Sequence, residues 1–125
     1  MNVEQLRLDL ERDEGCVYAI YLDHLNLPTF GIGHLVKEAD PEHGQPVATK
    51  VSKDRVMQVF NSDIESVIDD CNRSFNDFEA LPEAVQLVVS NMMFNLGLPK
   101  FSRFKKMIRA MELGDWQSAA DEMID

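Results

Sequence analysis

The sequence is short of several residue types, and each shortage excludes a class of protein. Among 125 residues there are two cysteines, one tryptophan, five prolines and six glycines. Cys16 and Cys71 stand far apart with no C-x-x-C and no paired histidines, which supports neither a disulfide framework nor a zinc site. Both are expected to pack as small, reduced apolar side chains. No run of about 18 apolar residues is present for a membrane span. The opening residues Met1-Asn2-Val3-Glu4-Gln5 lack the basic stretch and apolar core of a secretory signal, so the expectation is synthesis in a cytoplasm with no membrane anchor. Positive charge is scarce as well. Twelve Lys and Arg stand against 22 Asp and Glu, a formal charge of −10. Nucleic acids and anionic lipids are bound through clustered cations whose counterion release drives association, so the balance speaks against a nucleic-acid partner.

What is present suits one globular domain. With 45% hydrophobic and 27% charged residues, a chain of this size buries about two-thirds of its unfolded surface. No repeat or low-complexity tract interrupts it, and the chain divides where its hydrophobic period changes. Residues 3–12 place Val3, Leu6 and Leu10 on one helical face, with Leu8 off it, ahead of a stop at Gly15. Val17 to Leu22 is a compact run of β-branched, aromatic and aliphatic residues. His24-Leu25-Asn26-Leu27-Pro28 breaks it, and Thr29 to His34 resumes in extended fashion, which predicts a β-hairpin. Residues 37–50, punctuated by Pro41, Gly44 and Pro46, read as a loop.

The strongest period follows. Val56, Val59, Phe60, Ile64, Val67, Ile68 and Cys71 recur at three and four residues behind a possible Ser52 cap, predicting a helix over about 53–72. A further helix begins after Pro82-Glu83, carries Val85, Val88, Val89, Met92, Met93 and Leu96, and stops at Gly97 before Pro99. Phe104, Met107, Ile108 and Met111 form another amphipathic segment with Lys105, Lys106 and Arg109 outside. Asp115 can cap a last one through Trp116, Ala119, Ala120 and Met123. The expected class is α+β: a small β-rich lobe over 13–52, a connecting helix over 53–72, and a larger helical lobe from 1–12 and 75–125. A cleft is expected where the lobes join.

Two carboxylates stand out by position. Glu14 lies just past the first helix and Asp23 at the hairpin turn, flanking the first strand. Hydrolysis of a glycosidic bond needs one protonated carboxylic acid and one ionised carboxylate, held in environments that push their pKa values apart. A helix C-terminus disfavours a second anion and would raise the pKa of Glu14, whereas a polar turn would leave Asp23 ionised. Solvated surface carboxylates are the plain alternative in so acidic a chain. Gly31 and Gly33 in an extended run suit either a close backbone approach or a bulge. Asp63 interrupts an apolar helical stripe and so needs a partner. His24 and His43 read as turn and loop residues, and the methionines as core.

The blocks Asp13-Glu14-Gly15, Tyr21-Leu22-Asp23 and Thr29-Phe30-Gly31-Ile32-Gly33-His34 resemble the active-site hairpin of the phage T4-type lysozymes, the endolysin glycoside hydrolases, in both pattern and separation. Phe60-Asn61-Ser62-Asp63, Asn91 to Gly97 and Gly114 to Ala120 resemble later segments of that family in the same order. The resemblance implies a lysozyme-like fold and no cofactor or metal. It implies that Glu14 is the general acid, that Asp23 positions or activates the attacking water and that Thr29 orients it by its hydroxyl. Leu35 and Phe94 would line the sugar site, although as apolar residues both are first of all core candidates, and His34 would pair with Asp63 as structural support. The substrate implied is the β-1,4 bond between N-acetylmuramic acid and N-acetylglucosamine of bacterial peptidoglycan, cut with inversion. The enzyme would be a monomer, made in the host cytoplasm and acting on the wall after release.

The departures from the family are specific. Residues 37–51 form a shorter stretch, Phe104 and Glu122 stand where small or amide residues are usual, and the chain stops at Asp125 where members continue into a basic helix. The acidity itself is a departure. The intact Glu14, Asp23 and Thr29 favour the enzyme, while the early stop would favour, as an alternative, a catalytically impaired lysozyme-like module that binds glycan or a phage structural partner. An acidic decoy that mimics DNA would account for the charge but not for the hairpin motif.

Overall fold

The computed structural model describes residues 1–124, so Asp125, the last residue of the expected helical lobe, lies outside the described residues. The elements run α1 (Val3–Glu14), β1 (Val17–Leu22), β2 (Pro28–Gly31), β3 (His34–Leu35), α2 (Lys53–Ser74), a 3-10 turn (Phe78–Ala80), α3 (Glu83–Leu96), α4 (Leu98–Phe101), α5 (Lys105–Glu112) and α6 (Trp116–Ile124). This is the α+β class expected. The chain forms two compact units, one of Arg7–Ile64 and one of Met1–Leu6 with the residues from Glu65 onward.

The first unit holds a three-stranded antiparallel sheet in the order β1-β2-β3. Val17 pairs with Gly31 and Tyr21 with Thr29, so the register slips between Val17 and Tyr21. The expected second strand is not continuous: it turns back at Ile32-Gly33, and Phe30 pairs with His34 within it. Gly31 and Gly33 both have positive φ, 65° and 62°, conformations that L side chains adopt only with strain. A Cβ on Gly31 would also lie 3.0 Å from a Val56 methyl. Close approach and irregular register therefore coincide at Gly31. Residues 48–51 are more than a loop, because they run along the other edge of β1. Ala48 N donates to Ile20 O, Ile20 N to Thr49 O and Val51 N to Tyr18 O, at 2.8, 2.9 and 3.0 Å. The edge strand's backbone groups are thereby satisfied.

Helix α2 starts as its sequence predicts, with the backbone N–H of Arg55 donating to Ser52 Oγ at 3.1 Å. Its stripe Val56, Val59, Phe60 and Ile64 is buried with Leu10, Ile20, Phe30, Ile32 and Val51. Arg7 lies over the Phe60 ring, 4.9 Å from its centroid. In α1, Leu6 and Leu10 are buried and Leu8 is exposed as expected, whereas Val3 is more exposed than its place on the apolar face implied. The helix also runs two residues further than its period, through Glu14.

The second unit is built on Val67, Cys71, Phe75, Phe78, Val89, Met93, Phe101, Met107 and Met111. In α3 the wide stripe resolves into a narrower one, since Val88 is exposed while Gln86 and Ser90 are buried. Gln86 is accommodated because its side-chain amide donates to the carbonyls of Glu79 and Leu81 at 3.0 and 2.7 Å. The expected break at Gly97-Pro99 is a change of direction. Gly97 takes φ 78°, Pro99 sits in the first turn of α4 where it sacrifices no hydrogen bond, and that single turn carries Phe101 into the core. Asp115 caps α6 through the backbone N–H and hydroxyl of Ser118, although Trp116 is exposed rather than packed.

Phe101 is fully buried and Leu8 is 59% exposed. Phe101→Ala should therefore cost about 3–5 kcal/mol of unfolding free energy, whereas Leu8→Ala should stay within about 0.5 kcal/mol. Urea denaturation of the two variants measures the difference, and equal midpoints would show that α4 does not deliver Phe101 to the core.

Candidate active site

Glu14 is the last residue of α1, and its carboxylate lies directly over the Gly33 backbone. A Cβ built on Gly33 would fall 3.0 Å from Glu14 Oε2. Among the described residues the carboxylate takes no hydrogen bond and no ion pair. Its pKa is raised, first by burial and second by the negative charge of Asp13. The direction is the one expected, but burial leads where the sequence pointed to the helix end.

Asp23 has the opposite environment. It follows β1, in a turn that Asn26 closes with a left-handed backbone, φ 61°. Its Oδ1 accepts the backbone N–H groups of Leu25 and Leu27 at 2.8 and 2.9 Å. The bond from Leu27 is the main reason its pKa is lowered, with Leu25 and His24 adding to hold the anion against a desolvation that works the other way. Its second oxygen takes no hydrogen bond among the described residues.

Thr29 is buried in β2, and its hydroxyl donates to Leu27 O at 3.0 Å. With the hydroxyl proton committed, the oxygen has only lone pairs to offer, so a water beside it must act as donor. Leu27 thus orients both residues, through its N–H to Asp23 and its carbonyl to Thr29. Only backbone atoms are involved, so no residue-type signal marks it. Tyr21 is a second residue the site reading omitted. Burial raises its phenol pKa first, and the negative charges of Glu14 and Asp23 raise it further, which locates one phenol within the field of both carboxylates. Its place in the Tyr21-Leu22-Asp23 block was the available signal.

His34 is buried at the start of β3 and bonded on both ring nitrogens. Nδ1 lies 2.7 Å from Asp63 Oδ2, the pairing expected, and Nε2 lies 2.8 Å from Asp40 Oδ2, which the sequence reading missed. Asp40 also accepts the backbone N–H of Lys37 and the guanidinium of Arg55, and Arg55 holds Glu42 at 3.0 Å through two nitrogens. Burial by itself would lower the His34 pKa, yet the hydrogen bonds to Asp63 and Asp40 outweigh it and the net shift is upward. Leu35, next in β3, pairs across the sheet with Thr29 and is about half exposed, so it is no core residue. Phe94 belongs to the helical unit, part-buried in α3 against that unit's core.

The sign of the pH dependence follows. His34 has a folded pKa raised above its ordinary 6.5, so its contribution is complete below that value and is lost as pH rises through the raised one. Asp40 has a folded pKa lowered below 3.8, so its share persists until strongly acid pH. His34→Asn should cost about 2–4 kcal/mol at pH 5.5 and less at pH 8. Unfolding midpoints across that range give the answer: a penalty that does not shrink with rising pH would mean His34 is neutral in the fold.

A family model described as phage lysozyme matches residues 11–125. The pre-baseplate central spike protein Gp5 of Enterobacteria phage T4 is 28% identical over 88% of this chain, which spans only 22% of that protein. A probable T4-type lysozyme 2 of Dictyostelium discoideum is 28% identical over 97% of this chain and 82% of its own length. No helix among the described residues is long and apolar enough to cross a membrane. The family match spans almost the whole sequence and includes the hairpin just described, and on that ground the chain belongs to the phage lysozyme family.

Proposed function

We propose that this chain is a muramidase that hydrolyses the β-1,4 bond between N-acetylmuramic acid and N-acetylglucosamine in bacterial peptidoglycan, with inversion at the anomeric carbon. The observation that carries the reading is the opposite displacement of two carboxyl pKa values at the two ends of β1, Glu14 upward and Asp23 downward. Pairs of titratable groups pushed apart in this way mark acid and base roles. Glu14 donates its proton to the glycosidic oxygen as the bond from the anomeric carbon to that oxygen breaks. A water attacks the same carbon from the opposite face, passing one proton to Asp23 and donating its other hydrogen to Thr29 Oγ1. Inversion requires the two carboxyl groups to stand about 6.5–9.5 Å apart, room for that water.

His34 and Asp63 act as structural support in this reading, and Leu35 and Phe94 as sugar contacts. The division into a β-rich lobe over 13–52, a connecting helix and a helical remainder belongs to the same proposal. So do action as a monomer, synthesis in a host cytoplasm, and release to the wall, where cleavage lyses the host. A second reading, a lysozyme-like module that binds glycan or a phage structural partner without cutting, is favoured by the relative named as a central spike protein.

Clearing of purified cell walls tests the two. Glu14→Gln and Asp23→Asn should each reduce the rate by at least about 100-fold. The wild-type rate should fall as rising pH passes the raised Glu14 pKa, because the acid is then ionised. Proton NMR of the first product should show the α-anomer. Clearing that survives Glu14→Gln removes the assigned acid, a β-anomer removes inversion, and wild-type protein that binds walls without clearing them supports the module.

A further inference from the structure

The register of the sheet sets three residues of the hairpin side by side. Tyr21 in β1 pairs with Thr29 in β2, and Thr29 pairs with Leu35 in β3. Directly opposed residues of antiparallel strands present their side chains on one face, so a phenol, a hydroxyl and an isobutyl group form a row across the sheet. The opposite face is the core face: Phe30 and His34, the next pair along, are buried with their rings 5.0 Å apart. Within the row Thr29 is only 3% exposed, whereas Tyr21 is part-buried and Leu35 is open to solvent. A molecule that reaches Thr29 along this row meets Tyr21 on one side and Leu35 on the other.

Hydrogen-bond accounting singles out Tyr21. Ionised Asp23 only accepts, Thr29 has given its proton to Leu27 O, and the proton of Glu14 is the one the reaction consumes. The Tyr21 hydroxyl makes no hydrogen bond among the described residues. Burial, and then the charges of Glu14 and Asp23, hold its phenol above the ordinary value of 10, so it is a neutral donor wherever Glu14 keeps its proton. Tyr18, the chain's other tyrosine, is engaged differently: its phenol is bonded to the Cys16 side chain and feels the charge of Glu11 rather than those of Glu14 and Asp23. We propose that Tyr21 is a substrate-contacting residue, its hydroxyl donating a hydrogen bond to an oxygen of the sugar that lies between Glu14 and Asp23, with Leu35 as the apolar wall across Thr29. The proposal rests on the wall-hydrolase reading above. It supplies the donor that an oxygen-rich ligand needs beside Asp23 and Thr29, which only accept. A phenol gives that bond without adding a charge that would disturb either carboxyl group.

Titration of the Glu14→Gln protein with a peptide-free wall tetrasaccharide, followed by NMR of ring-labelled tyrosine, reads the contact without turnover, because the chain holds only two tyrosines. The Tyr21 signal should move saturably and the Tyr18 signal should stay in place. On the same background Tyr21→Phe should weaken binding about fivefold, the size expected of one neutral hydrogen bond, whereas Tyr18→Phe should leave it unchanged. In the enzyme with Glu14 intact, Tyr21→Phe should raise KM by a similar factor, with kcat and the pH at which the rate falls both held, as loss of a contact common to bound substrate and transition state requires. A purely structural phenol would leave KM alone and lower the melting temperature instead. An unmoved Tyr21 signal at saturation, undiminished binding by Tyr21→Phe, or no saturable binding at all would each overturn the proposal. So would a shifted pH limb with affinity kept, because the hydroxyl would then act on Glu14 and not on the sugar. Wall clearing by the wild type keeps the two readings separate: clearing with Tyr21→Phe binding undiminished overturns the contact alone, and binding that Tyr21→Phe weakens in a protein that never clears walls overturns the hydrolase and leaves the contact standing.

Discussion

The first unit is organised around a buried imidazole held between two carboxylates. His34 joins three segments that share no local sequence: β3 through its own backbone, the turns after residue 37 through Asp40, and α2 through Asp63. Arg55, one turn into α2, then joins Asp40 to Glu42, so the polar network doubles back onto the same helix. Burying such groups costs free energy unless every one finds a partner. Here both ring nitrogens are bonded and burial is offset by two carboxylates rather than one, which is why the histidine takes up a proton more readily than in water. The neighbours of His34 inherit its position. Gly33 precedes it and supports Glu14, Phe30 pairs with it across the turn, and Leu35 follows it opposite Thr29.

That arrangement separates two carboxyl groups of the same chemistry by environment. Glu14 is pressed against a backbone from which it takes no hydrogen bond among the described residues, and burial makes its ionised form costlier. Asp23 is wrapped by a turn whose N–H groups converge on one of its oxygens, and ionisation is favoured. A single residue, Leu27, fixes both Asp23 and the hydroxyl of Thr29 through its own backbone. The site's precision thus comes from main-chain geometry that few side-chain identities report. The glycines are the exceptions, since a left-handed turn beneath a carboxylate leaves no room for a side chain.

Electrostatics on the scale of the whole chain changes meaning with the structure. An overall charge of −10 argues against polyanionic partners when it is treated as uniform. It is not uniform: residues 100–109 carry five of the twelve cations and no acid, and four of the five line one cavity, so the average conceals a local excess of the opposite sign. Net charge governs long-range approach, whereas docking responds to the few side chains within a Debye length of the ligand.

Much was legible in the sequence because it depends on neighbours along the chain. The helical periods of α2, α3 and α5, the Ser52 and Asp115 caps, the β1 run and the polar turn at Asp23 are local, and hydrophobic spacing or turn chemistry reports them directly. The phage lysozyme family was legible as well, through short blocks in fixed order. What only the tertiary structure decided are pairings between segments distant in sequence. Asp40 joins His34 because a succession of turns returns it, residues 48–51 cover an edge of β1, the second strand folds back at Ile32-Gly33, α3 leaves Val88 outside, and α4 carries Phe101 into the core. None of these follows from a period, because a period states which face of an element is apolar and not which element will cover it. The sequence by itself determined the elements and the chemistry they carry. The fold decided which of those groups meet, since burial and hydrogen-bond satisfaction are settled only when the whole chain competes for the same interior.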